Sequence, residues 1–133
     1  MRDLLYQEAK MRPWMNRYNI RRGHTPGQMN GTERAYAADL EMMKTTGIIL
    51  NYKFEAVKLK LADSTCYTPD FFIVYPDHFE FVETKGGFIR DDAGVKFKVA
   101  REQFPFFRFR MLQYKKIERN APATWTEILQ EAK

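Results

Sequence analysis

Asp70, Glu83 and Lys85 interrupt the stretch TPDFFIVYPDHFEFVETKGG (residues 68–87), whose hydrophobic pattern is otherwise that of two core strands. Charge is expensive to bury, so its presence there needs a reason. Two readings answer it. Lys85 neutralises Glu83 in a buried ion pair while Asp70 merely opens a strand after Pro69, or a cation sits among the three. Two carboxylates a few ångströms apart repel, and one takes up a proton near neutral pH unless a cation lies between them. A hard divalent ion such as Mg²⁺ suits that need, because it prefers carboxylate and carbonyl oxygens, water and phosphate. It acidifies a bound water and stabilises charge building on a phosphoryl oxygen. A lysine two residues beyond the second carboxylate can orient or deprotonate the attacking water, or stabilise the transition state as a cation.

For these groups to meet, the flanking elements must hold them together. On a strand at residues 79–86, Phe79, Phe81, Glu83 and Lys85 project to one face and Glu80, Val82 and Thr84 to the other. Residues 67–75 form the preceding strand, with the turn at Pro76, Asp77 and His78, so the open end of this hairpin brings Asp70 close to Glu83. Before it, residues 32–47 predict a helix with Tyr36, Leu40 and Met43 on one face, Gly47 as C-cap, and Asn30 or Thr32 as N-cap. Residues 49–61 shift to a period of two, with Val57, Leu59 and Leu61 facing one way and Lys58 and Lys60 the other. After the hairpin, residues 91–105 predict a helix, 106–114 a strand, and 121–133 a helix whose Thr124 and Glu127 make a capping box. The order α-β-β-β-α-β-α predicts an α/β fold with a mixed central sheet of about four strands, flanked by helices.

The 133 residues, with 11 Phe, 7 Tyr and 2 Trp, suffice for one domain with one core. The single cysteine, Cys66, excludes an internal disulfide framework and a Cys-rich zinc site, and fits a reducing compartment. No apolar run approaches the ~20 residues of a membrane helix, and the charged start MRDLLYQEAK is no signal peptide. A soluble, cytoplasmic protein with no membrane partner is expected. The net charge of +5 favours a polyanionic partner. Much of that excess lies in residues 1–30, where Arg2, Lys10, Arg12, Arg17, Arg21 and Arg22 face only Asp3 and Glu8. This segment reads as a basic arm, with Arg21 and Arg22 placed to grip phosphates; a solvated tail or an arm packed on a partner subunit reads equally well.

The segment TPDFFIVYPDHFEFVETKG resembles the signature of the PD-(D/E)xK nuclease superfamily, with Pro69 and Asp70 as its first half and Glu83, Thr84 and Lys85 as its second. The likeness is greatest to the phage endonuclease I type of Holliday-junction resolvase and to related short phage endonuclease-like proteins, and it runs from about Gly31 to Met111. It implies a restriction-endonuclease-like core over residues 31–133 with its metal site at the hairpin. Asp70 and Glu83 would be ligands of Mg²⁺, with Mn²⁺ able to substitute, and the carbonyl of Thr84 a further ligand. Lys85 would be the catalytic lysine, and Glu33 an accessory carboxylate from the preceding helix, although Glu33 also stands where a capping-box residue would. Gly86 and Gly87 would let backbone approach the substrate, or simply end the strand. Lys98 and Arg101, at i and i+3 of the next helix, would contact phosphates beside the cut, or form its solvated face. The implied substrate is DNA, with four-way junctions preferred, and paired incision implies a homodimer. A phage origin would put the protein in the cytoplasm of a bacterial host. Two rivals remain: a nuclease-like module that binds nucleic acid without cutting it, and a structural protein whose charges pair internally.

Overall fold

Alternating apolar residues, more than any other feature, decide how the chain is laid out in the computed structural model, which describes residues 27–87, 94–115, 119–120 and 124–128. The chain divides between Asn30 and Gly31, and the larger unit is Gly31–Lys133. This unit opens with helix α1, Gly31–Thr45. Tyr36 and Leu40 are buried on its inner face as their spacing predicts. Gly47 closes it at φ 82°, a conformation open to glycine at little cost. Around that turn Ile48 N donates to Met43 O (2.9 Å) and Gly47 N to Lys44 O (3.2 Å), the paired bonds of a Schellman cap.

Strands follow at β1 (Asn51–Phe54), β2 (Leu59–Ala62), β3 (Thr65–Tyr67), β4 (Phe71–Val74) and β5 (Phe79–Gly86), then helix α2 (Val95–Gln103), β6 (Arg108–Lys115) and β7 (Thr124–Ile128). Five of them form one sheet in the order β1-β4-β5-β6-β7, while β2 and β3 form a separate two-stranded ribbon. The sheet is mixed: β5 and β6 run parallel and the other neighbours antiparallel. A parallel pair needs a crossover between its strands, and α2 lies within that connection. Phe97 and Ala100 of α2 pack with Phe81, Phe109 and Met111 of the sheet and with Leu59, Leu61 and Tyr67 of the ribbon. On the other face Tyr36 of α1 meets Phe71, ring centroids 5.3 Å apart. Phe71 pairs with Val82, whereas Phe72 pairs with Phe81. Alternation therefore puts the two helices on opposite faces of the sheet.

Several expectations need correction. The chain is α/β with a mixed sheet, but among the described residues that sheet has five strands, not about four, and the element order differs from the one expected. The single strand expected at 49–61 is two strands in different sheets, because Glu55 turns the backbone to φ 47° between them. Between β2 and β3 the chain turns at Ser64, which sits at φ 56°; Thr65 and Cys66 belong to β3. Tyr67 therefore leaves the expected 67–75 strand for the ribbon. The C-terminal helix is absent from residues 124–128, which form β7. Their Thr, Trp, Thr and Ile suit a pleated surface, and pairing there covers the otherwise open edge of β6. Thr124 and Glu127 make no capping box: Thr124 Oγ1 donates to Lys115 O (3.0 Å), and Glu127 lies 3.5 Å from Arg110 Nε. Helix α2 spans 95–103 against the expected 91–105, and residues 91–93 lie outside the described residues, as do residues 1–26 of the basic arm.

Candidate active site

Asp70 stands between Pro69 and the first residue of β4. Its carbonyl accepts the amide of Glu55 at 2.8 Å, which ties it to the end of β1. Its carboxylate turns the other way. The β4–β5 ladder ends at the Phe71–Val82 pair. Beyond it, Asp70 Oδ2 accepts both the amide (2.8 Å) and the hydroxyl (2.9 Å) of Thr84. The side chain thus acts as a ladder acceptor and fixes the carboxylate against β5.

Glu83 and Lys85 follow on β5, pointing to the face covered by α2. Glu83 Oε1 accepts from Lys85 Nζ at 3.1 Å, and Oε2 accepts from the hydroxyl of Tyr67 at 2.7 Å. The ion pair expected on one reading of the sequence is therefore formed. It does not include Asp70. Burial, then the charge of Glu83, push the Asp70 carboxyl up to about 7; the two Thr84 hydrogen bonds pull it down, and Glu33 adds to the rise. Glu33 lies in the first turn of α1 and is buried. Its influence on Asp70 places it in the electrostatic neighbourhood of the hairpin. Burial, followed by the carboxylates of Glu83 and Asp70, also holds the Tyr67 hydroxyl far above its usual range, so that it acts as a donor.

The helix reaches the strand closely at one point. A Cβ on Gly86 would lie 2.7 Å from Thr32 Oγ1. Gly86 thus makes room for the start of α1, beside Glu33, a use that neither sequence reading of this glycine included. Gly87 turns the chain at φ 62°, in keeping with a strand-ending turn. Its carbonyl accepts from Gln113 Nε2 at 2.8 Å, and Gln113 pairs with Lys85 across β5 and β6.

Among the described residues no group of three or more His, Cys, Asp or Glu is gathered closely enough to hold a metal ion by itself. The donor chemistry nevertheless suits Mg²⁺. That ion is usually held by one or two carboxylates, with water and phosphate completing its shell, and the Asp70–Glu83 repulsion is what a cation there would relieve. Thr84, expected to contribute its carbonyl, is seen to act through its amide and hydroxyl, both directed at Asp70.

The outer candidates are more scattered. Lys98 is exposed on α2, and Arg101 is partly covered, its guanidinium 5.7 Å from the centre of the Phe97 ring. Lys96, off their shared face, donates to Cys66 O at 3.1 Å. Arg21 and Arg22 lie outside the described residues. An apolar hollow lined by Ala38, Glu41, Met42, Thr45 and Thr46 lies on the C-terminal half of α1, remote in sequence from its Glu33 end.

Two features were not anticipated. Tyr67 is one: its alternation is ordinary, and only the separation of β3 from β4 turns it toward Glu83. The other is Glu80, 1% exposed on the α1 side of β5. Its Oε1 lies 3.3 Å from Arg110 and 3.8 Å from Arg108, without hydrogen-bond geometry. Burial alone would make Arg110 easier to deprotonate, but Glu80, Tyr36 and Glu127 reverse that. The sequence signal is the alternation of arginines in RFR against FEF, and it becomes readable only once β5 and β6 are known to be parallel neighbours.

No protein-family model, curated protein or solved structure matches the chain.

Proposed function

We propose that the chain is a metal-dependent endodeoxyribonuclease of the PD-(D/E)xK kind, with a restriction-endonuclease-like core, that cuts branched DNA such as four-way junctions as a homodimer. One observation carries this reading: Asp70 is fastened to Thr84 on β5, between Glu83 and Lys85, and is left with a carboxyl raised by burial and by neighbouring carboxylates. A purely structural charge cluster would gain from neutralising Asp70, whereas the Glu83–Lys85 pair leaves it out.

Asp70 and Glu83 would hold Mg²⁺, with Glu33 orienting its water and the Thr84 carbonyl as a further donor. Bound there, the ion supplies an acidified water and neutralises charge on the phosphoryl oxygens. Lys85 has its ammonium at the same carboxylate, 26% exposed and within reach of solvent. From that position the ammonium would orient the attacking water by hydrogen bonding and face the charge that builds on the phosphoryl oxygens; to take the water's proton it would first have to give up its own. Lys98 and Arg101 would neutralise flanking phosphates, assisted by Arg21 and Arg22.

The competing reading is a nucleic-acid-binding module that does not cut. The 3.1 Å bond between Lys85 and Glu83 favours it, since the lysine is already engaged. Incubation of the purified protein with a labelled four-way junction, a linear duplex and a single strand, in Mg²⁺, Mn²⁺ or EDTA, separates the two. Cutting that needs metal, prefers the junction and disappears in Asp70→Asn is the expected result. Wild-type cutting by Asp70→Asn removes the proposed site, and salt-steep binding with no cutting of any substrate favours the module.

A further inference from the structure

Glu83 is gripped at both of its oxygens, and one of the grips comes from outside the sheet. Tyr67 belongs to β3 of the two-stranded ribbon, and its ring is packed with Leu59, Phe81, Phe97 and Met111. It is 9% exposed, and its hydroxyl reaches Glu83 Oε2 at 2.7 Å. Buried in that cluster, the ring presents its hydroxyl to Glu83. The ribbon that carries it is held in turn by α2: Lys96 bonds the carbonyl of Cys66, the residue before Tyr67, and Gln103 Nε2 bonds Leu61 O at 3.1 Å.

We infer that Tyr67 is a positioning residue that sets the orientation of the Glu83 carboxylate for cation binding, and that the β2–β3 ribbon is thereby part of the metal site. The inference rests on the nuclease reading above. A carboxylate oxygen has two lone pairs, and a single neutral donor occupies one of them. Tyr67 thus fixes the rotation of the carboxylate while leaving coordinating capacity on the same oxygen. Lys85 bonds the other oxygen and carries a charge that opposes a nearby cation; Tyr67 supplies the same constraint without that repulsion. Partners of ligating carboxylates commonly change metal affinity 10–100-fold when removed.

The test is Mn²⁺ binding by titration calorimetry to wild type, Tyr67→Phe and Asp70→Asn, with melting temperatures in EDTA and cleavage rates across a range of Mg²⁺. Loss of the Tyr67 hydroxyl is expected to raise the Mn²⁺ dissociation constant about tenfold. The EDTA melting temperature stays within a few degrees, and the cleavage rate recovers at saturating Mg²⁺. A dissociation constant within about twofold of wild type, while Asp70→Asn has lost binding, overturns the role of Tyr67 and leaves the nuclease reading standing. A lowered melting temperature and a lowered saturated rate, with unchanged affinity, also overturn it, as a packing role. No Mn²⁺ binding by wild type overturns both. A second measurement does not depend on a variant that folds poorly. With 3-fluorotyrosine incorporated at position 67, the fluorine resonance is expected to move with Mg²⁺ at the midpoint of binding. A resonance unmoved at saturation overturns the inference.

Discussion

Asp70 is where the chemistry of a single residue speaks most directly. Its carboxyl titrates at about 7 in the fold against an ordinary 3.8. A carboxyl raised by folding contributes stability that is fully present below the unfolded value and is lost as pH rises through the folded one. In EDTA, the melting temperature should therefore fall as pH rises from about 4 to about 8, and Asp70→Asn should flatten that slope. Parallel slopes for the two proteins in thermal melts would show that Asp70 is not the group responsible. Lys85→Ala addresses the chemistry itself. It should lower the cleavage rate by about 10²–10⁴ with a melting temperature near that of wild type, since the Lys85 side chain is partly exposed; junction-cleavage kinetics beside a melt decide it.

At the scale of elements, the approach of α1 to β5 gives a sharp prediction. Gly86→Ala places a methyl 2.7 Å from Thr32 Oγ1, and such overpacking costs about 1–3 kcal/mol. Combining it with Thr32→Ala removes the obstructing hydroxyl and should recover much of the loss; additive losses in denaturant unfolding would show that the clash is not the cause. The elements also show what the sequence discloses. Strand β5 is legible to the residue, because Phe79, Phe81 and Glu83 alternate with Glu80, Val82 and Thr84, and α1 is legible from Tyr36, Leu40 and its Gly47 cap. With β5 read correctly, the faces of Glu83 and Lys85 follow. The break at Glu55 was hidden, because no glycine or proline marks a left-handed residue there. Residues 124–128 misled because a Thr followed three residues later by Glu is a helix-start signal, while the partner that makes them a strand, β6, lies elsewhere in the chain. Tyr67 stayed invisible for the same reason: its meeting with Glu83 spans 16 residues and depends on the ribbon.

For the whole molecule, the consequences are those of linkage. A cation that binds only the folded protein must raise its melting temperature, by about 2.7 kcal/mol of stability at a hundredfold excess over the dissociation constant. Wild type should show this rise with Mg²⁺ and Asp70→Asn should not; equal shifts would place the ion elsewhere. Association with DNA should weaken steeply with salt, and Lys98→Ala should reduce the slope of log K against log[salt] by about one. An unchanged slope would assign Lys98 to the solvated face of α2.

The charges on β5 also bear on how the molecule avoids error. Glu80 looks toward α1 and Arg110, while Glu83 looks toward α2 and Tyr67. A strand that slipped by one residue would exchange those faces. Glu80 would then be driven among Phe97, Phe109 and Met111, with its guanidinium partner on the far side of the sheet. Stranding a buried charge in that way costs about 3–5 kcal/mol, a large part of what holds a domain of this size together. The buried carboxylate that plays no part in the proposed chemistry therefore works as a proofreading device. The register that keeps Glu80 beside Arg110 is the same one that sets Glu83 and Lys85 on the α2 side.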